Sequence, residues 1–228
     1  MSEINPSLFC AGDLTHAKVL VVGHDRRLQR SPTEASAPFF ADYYLRAVPT
    51  QRSELAKYKL AEALFGYIGA ITSFRFPLRT VAVTNLCNSS LPPAPAGKTV
   101  FIPPEEARAG IDHIRNVLGQ AQVQVIFAMS EQVNYWLHEL RFCEPNEEFL
   151  RRAAPKVKGT QSTTPYYEPS RPGAFRLICG TRHASSEGVC LYPVVHVKNW
   201  PLNAIFSRAY SASYARMISE LKGLEVEV

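Results

Sequence analysis

Three polar side chains of the types used in catalysis stand at or just after the ends of apolar runs that predict buried strands: Asp25, Asn85 and His196. A carboxylate can orient a water molecule and stabilise a developing cation, and an imidazole can donate a hydrogen bond to a developing anion. A carboxamide can donate and accept hydrogen bonds at the same time. Because the carboxyl ends of parallel strands meet at one edge of a sheet, we expect the three groups to converge there.

Each of these side chains also has a purely structural interpretation. An aspartate after a strand often caps a turn, and an asparagine there often satisfies the backbone of a loop. A single histidine in an apolar strand is more often a hydrogen-bonded core residue than a catalytic one. The three positions alone therefore predict a site at the edge of a sheet but no substrate.

The elements that position these residues alternate along the chain. Continuous apolar runs, which suit strands buried on both faces, predict strands at 17–23, 80–85, 123–129, 175–179 and 189–197. Apolar residues at helical spacing predict helices at 54–68, from Pro104 to about 118, from Ser130 to about 140, and from about 203 to 222. This order predicts a three-layer α/β/α fold around a central, mostly parallel sheet of about four strands.

The length of the chain indicates how many domains it forms, and its charge indicates what kind of partner it binds. Its 228 residues fit a single domain spanning 1–228, with a basic insertion or long loop at about 141–174. The chain carries a net charge of +5, and the stretch from Arg151 to Arg182 has seven cations against one anion, Glu168. A concentration of positive charge of this kind favours a polyanionic partner.

Composition and motif searches exclude several classes of protein. At 46% hydrophobic residues the chain can fill a core, and it has no apolar run long enough for a membrane helix. The start of the sequence lacks the features of a secretory signal, so we expect a cytoplasmic protein without membrane contact. Five cysteines without a Cys-x-x-Cys pair, and six histidines without ligand spacing, predict no metal and no cofactor. Dinucleotide-binding, P-loop and nucleophile-elbow motifs are absent.

The same polar residues lie in motifs that occur together in one known family. Gly23-His24-Asp25 resembles a Gly-Gln-Asp-Pro or Gly-Glu-Ala-Pro turn, and Pro38-Phe39 stands where a Pro-Phe pair would follow. Val83-Thr-Asn85 resembles an Ile-Thr-Asn sequence, with Pro92-Pro93 after it. Tyr192-Pro-Val-Val-His196 resembles a Phe-Pro-Thr-Tyr-His strand end. In this order the chain is similar to the uracil-DNA glycosylase superfamily, as a divergent member of bacterial type, from about 17 to 222 apart from 141–174.

The chain also departs from that family. Arg26 stands where the family's turn has proline, and His196-Val197-Lys198 replaces His-Pro-Ser. The loops that hold DNA in that family are therefore expected to have a different conformation in this chain. With no early cysteine pair, an iron–sulfur cluster is not expected. His183, in Thr181-Arg-His-Ala-Ser-Ser, is a second candidate for the motif histidine, but the Tyr-Pro before His196 favours His196.

The resemblance implies a hydrolase that cleaves the N-glycosidic bond of a flipped-out uracil, or a related damaged base, in DNA. It implies catalytic roles for Asp25 and His196. Four residues would bind the base: Gly23, His24, Phe39 and Asn85. Seven cations would contact the DNA backbone: Arg26, Arg27, Arg151, Arg152, Lys156, Lys158 and Lys198.

Two other functions stay open at this point. The missing prolines are compatible with a catalytically altered or inactive nucleic-acid-binding protein of the same fold. A small-molecule enzyme acting on nucleotides would have a similar pattern of strands and helices.

The cluster of positive charge leads to a first prediction. Reversing the charge of Arg151, Arg152, Lys156 and Lys158 should weaken DNA binding and flatten its dependence on salt, because fewer counterions are released on binding. A titration of a DNA duplex at several salt concentrations measures both quantities. Unchanged affinity and slope would show that these residues form a solvated surface away from DNA.

Overall fold

The structure is a computed structural model, and it describes residues 10–11, 14–25, 66–72, 76–77, 80–87, 99–153, 166–167, 178–196 and 204–224. The described strands are β1 (Cys10–Ala11), β2 (Val19–Asp25), β3 (Val81–Cys87), β4 (Thr99–Val100), β5 (Val125–Met129), β6 (Tyr166–Tyr167), β7 (His183–Ala184) and β8 (Cys190–Val194). The described helices are α1 (Pro104–Gln120), α2 (Glu131–Glu139), α3 (Glu147–Ala153) and α4 (Ala204–Leu221), with a further helical segment at 66–71.

Six of the strands form one mixed sheet in the order β1-β3-β2-β5-β8-β7. The four inner strands run parallel, whereas β1 and β7 pair antiparallel at the two edges. β4 and β6 form a separate two-stranded antiparallel sheet. The predicted α/β fold with a mostly parallel sheet is therefore confirmed. In the described residues the sheet has six strands rather than the predicted four or so, because the two-residue strands β1 and β7 pair antiparallel at its edges.

The two central strands are apolar because both of their faces are covered. All five residues of β5 are buried, and Val19 to Val22 of β2 are fully buried. A strand buried on both faces has no position for a polar side chain, and its sequence is therefore a continuous apolar run. Polar residues can enter these strands only where they reach the edge of the sheet.

Helix α1 is fixed against β3 by a close approach of backbone to backbone. Pro104 begins the helix, and Glu105 and Glu106 lie in its first turn, where negative charge complements the helix dipole. Gly110 faces β3 so closely that a Cβ there would overlap the carbonyl oxygen of Leu86. The absence of a side chain at 110 thus sets the distance between α1 and the sheet.

Helix α4 is amphipathic in the part whose side chains are described. Tyr214, Met217 and Leu221 are buried, whereas Arg216 is exposed. In the described ranges, no helix combines the length and the apolar character that a bilayer span requires.

The chain after residue 174 differs from its prediction. A strand was expected at 175–179, but Ile178 is helical and Cys179 and Gly180 form a turn, while 175–177 lie outside the described residues. Gly180 has φ of +75°, a conformation that glycine adopts without strain, and its N–H donates to the carbonyl of Pro193 at 2.7 Å. This turn precedes the antiparallel edge strand β7.

The stretch predicted as an insertion contains regular structure in its described parts. Phe142, Cys143 and Phe149 are buried in the main core, and α3 begins at Glu147. Further along, β6 pairs with β4, with Tyr166 opposite Val100. Residues 154–165 and 168–177 lie outside the described residues.

The contact between α1 and β3 predicts opposite effects for two glycines of one helix. Gly110→Ala should lower the free energy of unfolding by about 1–3 kcal/mol, because the new methyl group forces the helix away from Leu86. Gly119→Ala, where no atom lies within 4 Å of the new Cβ, should raise it by up to about 1 kcal/mol. Urea unfolding of both variants measures this, and equal effects would contradict the close approach.

Candidate functional site

The strand order creates a topological switch point between β2 and β5. The chain leaves β2 toward β3 on one side and leaves β5 toward β8 on the other. In sheets of this kind the connections diverge there and open a crevice at the carboxyl ends of the strands, where ligands bind. The crevice of this sheet therefore lies beyond Asp25 of β2 and Met129 of β5, with the ends of β3 and β8 on either side.

Asn85 is placed over β2 by the pairing of the two strands. Gly23 pairs with Asn85, and a Cβ built on Gly23 would lie 2.5 Å from the side-chain Oδ1 of Asn85. The amide of Asn85 therefore occupies the space that any other residue at position 23 would fill. Asn85 is only partly buried, so its amide keeps access to solvent at the edge of the sheet.

The end of β3 brings a second carboxylate to the same edge. Asp25 pairs with Cys87, and the Cys87 thiol donates to Oε2 of Glu106 across 3.8 Å. Glu106 lies in the first turn of α1, one turn before the Gly110 contact with β3. Glu106 was not predicted as a site residue, because two acids after a proline at a helix start are explained by the helix dipole alone.

β5 passes into α2 through a strained residue. Ser130 has φ of +90°, which is uncommon for a residue other than glycine and clusters at functional sites. Ser130 caps the helix that was predicted to run from this residue, and its Oγ accepts from the Val133 N–H at 3.3 Å. The side-chain amide of Asn134 donates to the carbonyls of Ala128 and Ser130, which ties the turn to its helix.

Helix α2 also holds the segment that leads into α1. The side-chain oxygen of Gln132 accepts from the Ile102 N–H at 2.5 Å, and the indole of Trp136 donates to the Ile102 carbonyl at 3.0 Å. The backbone N–H and carbonyl of the buried Ile102 are thereby both hydrogen-bonded to side chains of α2. The sequence predicted Trp136 only as part of an apolar stripe and gave no signal for Gln132.

The two candidate histidines lie at opposite ends of β8. His196 follows the carboxyl end of the strand, two residues after Val194, and is partly buried. His183 pairs with Leu191 near the amino end, about 10 Å from the carboxyl end at the usual rise of a strand. Of the two, His196 is therefore the one placed at the same edge of the sheet as Asn85 and Asp25.

His183 instead belongs to a buried cluster with a histidine of α2. The rings of His138 and His183 meet edge to face with centroids 4.9 Å apart, and His138 Nδ1 lies 2.6 Å from the Glu144 carbonyl oxygen. Burial lowers the pKa of His138, and burial together with His138 lowers the pKa of His183 to about 4. Both side chains are neutral at physiological pH, as expected of packing residues.

The buried thiols are unsuited to nucleophilic chemistry. Burial raises the pKa of Cys143 and of Cys179 to about 12, so neither forms appreciable thiolate near neutral pH. Cys87 and Cys190 also do not form disulfides. In the part of the chain that the structure describes, no three His, Cys, Asp or Glu side chains are grouped as metal ligands.

Several predicted site residues lie at the limits of the described chain. Asp25 is the last residue of β2, and His24 beside it is partly buried. Arg151 is exposed on α3, and Arg152 follows it in the same helix. Five predicted DNA contacts and one base contact lie outside the described residues: Arg26, Arg27, Lys156, Lys158, Lys198 and Phe39.

Comparison with known proteins gives no assignment: no protein-family model matches the chain, and no curated protein matches it significantly. Support for a function comes instead from the residues at the edge of the sheet and from the motifs in which they stand.

The histidine pair predicts how stability depends on pH. The pKa of His183 is about 4 in the folded state, against 6.5 for the free side chain, so the unfolded chain binds the proton more readily between these values. The contribution of neutral His183 to the free energy of unfolding should therefore be fully present above about pH 6.5. It should be lost as the pH drops toward 4, by at most about 1.4 kcal/mol per pH unit. Urea unfolding at about pH 7.5 and about pH 5 measures the loss, which should be smaller in His183→Leu. An equal loss in the variant would show that other groups control acid sensitivity.

Proposed function

We propose that this protein hydrolyses the N-glycosidic bond of uracil, or of a related damaged base, flipped out of DNA. The observation that carries the proposal is the placement of Asn85 and His196 on opposite sides of the switch point. Three strand spacings, about 14 Å, separate the backbones of β3 and β8. Because the Asn85 amide extends over Gly23, about two strand spacings, or about 10 Å, separate it from the line of β8, and a flat heterocycle fits within that width.

Asn85 has the chemistry to recognise uracil at this position. Its amide oxygen can accept from uracil N3–H while its NH₂ group donates to O4. Cytosine reverses both groups, so the same amide would face it with two mismatched pairs. Buried mismatches of this kind cost about 1–3 kcal/mol each, which is sufficient to reject the normal base.

Asp25 and His196 would supply the charges that the reaction needs. As the bond from the sugar to the base breaks, the sugar gains cationic character and the bonding electrons leave with the base. Asp25 stabilises the sugar cation and orients the water that adds to it, and the proton released by that water balances the charge of the leaving base. His196 donates a hydrogen bond to the base oxygen that becomes negative. The resemblance of Gly23-His24-Asp25 and of Tyr192–His196 to glycosylase motifs supports the same two roles.

Basic residues would hold the DNA while the base is extruded. Extrusion costs a few kcal/mol, which contacts to the phosphates offset. Arg151 is exposed on α3, and the stretch from Arg151 to Arg182 carries seven cations against one anion. Phe39 would provide a stacking face for the base.

A glycosylase assay on uracil-containing single- and double-stranded DNA tests the proposal. Asp25→Asn and His196→Ala should each lower the excision rate by about a hundredfold or more, because each removes a charge or donor that acts in the transition state. His183→Ala is the control, since it removes a histidine away from this edge and should retain excision once folding is confirmed by thermal melting. DNA binding without any excision by the wild type would instead identify a binding protein.

Asn85→Asp tests base choice in the same assay. A protonated carboxyl can accept from the cytosine amine and donate to the ring nitrogen, so the variant should excise cytosine faster relative to uracil. If Asn85 served only to hold the loop after β3, the substitution would lower the melting temperature and leave the ratio unchanged. A folded variant with wild-type preference would remove Asn85 from the recognition site.

A further inference from the structure

Three buried elements meet at the hydroxyl of Tyr214 in α4. This oxygen lies 2.8 Å from the Tyr67 hydroxyl of the helical segment 66–71 and 3.5 Å from Cys179 Sγ. The backbone N–H of Val195 donates to it at 3.0 Å. All four residues are at most 5% exposed.

The contacts around this hydroxyl use its full hydrogen-bonding capacity. A hydroxyl accepts two hydrogen bonds and donates one. The Tyr214 oxygen accepts from Val195 N–H and can accept from the Tyr67 hydroxyl, and its proton is then directed to Cys179. Burial raises the pKa of Tyr214, so the proton needed for this arrangement is retained.

Val195 depends on this hydroxyl because the strand leaves the sheet there. The last bond between β5 and β8 runs from Ser130 N–H to the Val194 carbonyl at 3.5 Å. Val195 follows immediately and is 2% exposed, so its N–H has no access to water and no described ladder partner; its partners are the Tyr214 hydroxyl at 3.0 Å and, beside it, the Cys179 sulfur. A buried N–H left without a partner costs about 1–3 kcal/mol. The next residue is His196.

The ring of Tyr214 is held in place independently of its hydroxyl. A Cβ on Gly180 would lie 2.9 Å from Tyr214 Cδ1, so the ring packs directly on the turn before β7. The same turn is bonded to the carbonyl of Pro193, two residues before Val195. Removing the hydroxyl alone should therefore leave the packing of the ring intact.

We infer that Tyr214 is a positioning residue whose hydroxyl fixes the chain at Val195 and thereby sets the place of His196 at the edge of the sheet. The catalytic consequence rests on the function proposed above. The structural consequence, that the Tyr214 hydroxyl controls the Val195 backbone, does not depend on it.

Tyr214→Phe tests both consequences. Hydrogen exchange of the Val195 amide should become about tenfold faster, because local opening there loses its hydrogen bond, while the amide of Phe127 in β5 should be unchanged. If His196 acts in the reaction, kcat for uracil excision should fall about tenfold with KM unchanged, since a misplaced donor weakens the transition state more than binding.

Tyr192→Phe is the matched control on the same strand. Tyr192 is 2% exposed and its hydroxyl donates to Oε2 of Glu220 at 2.8 Å, so the control removes a hydrogen-bonded phenol hydroxyl from a buried tyrosine without touching Val195. It should leave both the exchange of Val195 and kcat near the wild-type values. Unchanged Val195 exchange in Tyr214→Phe, or the same change in both variants, would overturn the inference. A wild-type protein without excision would refute the proposed function, and the exchange rates would still decide the role of Tyr214.

Discussion

The parallel register of β2 between β3 and β5 is the constraint on which the rest of the structure depends. It pairs Gly23 with Asn85 and Asp25 with Cys87, so two strands that are distant in sequence end at the same height. Because β2 is fully buried from Val19 to Val22, a slip by one residue would carry Lys18 into the core in one direction and His24 to the buried position of Gly23 in the other. The hydrophobic effect thus fixes the register, and the register in turn fixes which polar residues share the edge.

Side chains from the helices then hold the ends of the strands in place. Gln132 and Trp136 of α2 bind both polar groups of Ile102, Asn134 ties down the turn at Ser130, and Tyr214 of α4 receives the N–H of Val195. Backbone groups lose their ladder partners where strands diverge, and buried N–H groups need replacements there. The helices around the proposed site therefore act as hydrogen-bonding partners as well as apolar cover.

The parts of this fold that the sequence could predict are those set by burial over several residues. The long apolar runs located β2, β3, β5 and β8, and the helices predicted from Pro104 and from Ser130 begin within one residue of those positions as α1 and α2. Two-residue strands such as β1 and β4 leave no periodicity to detect, and the turn at Gly180 depends on one left-handed residue inside an apolar run. At the site, residues that follow strands were predictable from topology, whereas Glu106 and Tyr214 are brought there by helix packing, which a one-dimensional pattern does not encode.

The same side chain in two environments shows why position in the sheet decides its chemistry. His183 lies against His138 in a buried cluster, where desolvation lowers its pKa to about 4 and keeps it neutral. His196 stands only partly buried beyond the carboxyl end of the same sheet, where strands diverge and a ligand can approach. Packing enforces the neutral form of His183 at one end of β8, whereas His196 lies at the other end, where the proposed site is. The fold thus separates, along the five residues of β8, a histidine in a buried cluster from the histidine to which the proposed function assigns a role.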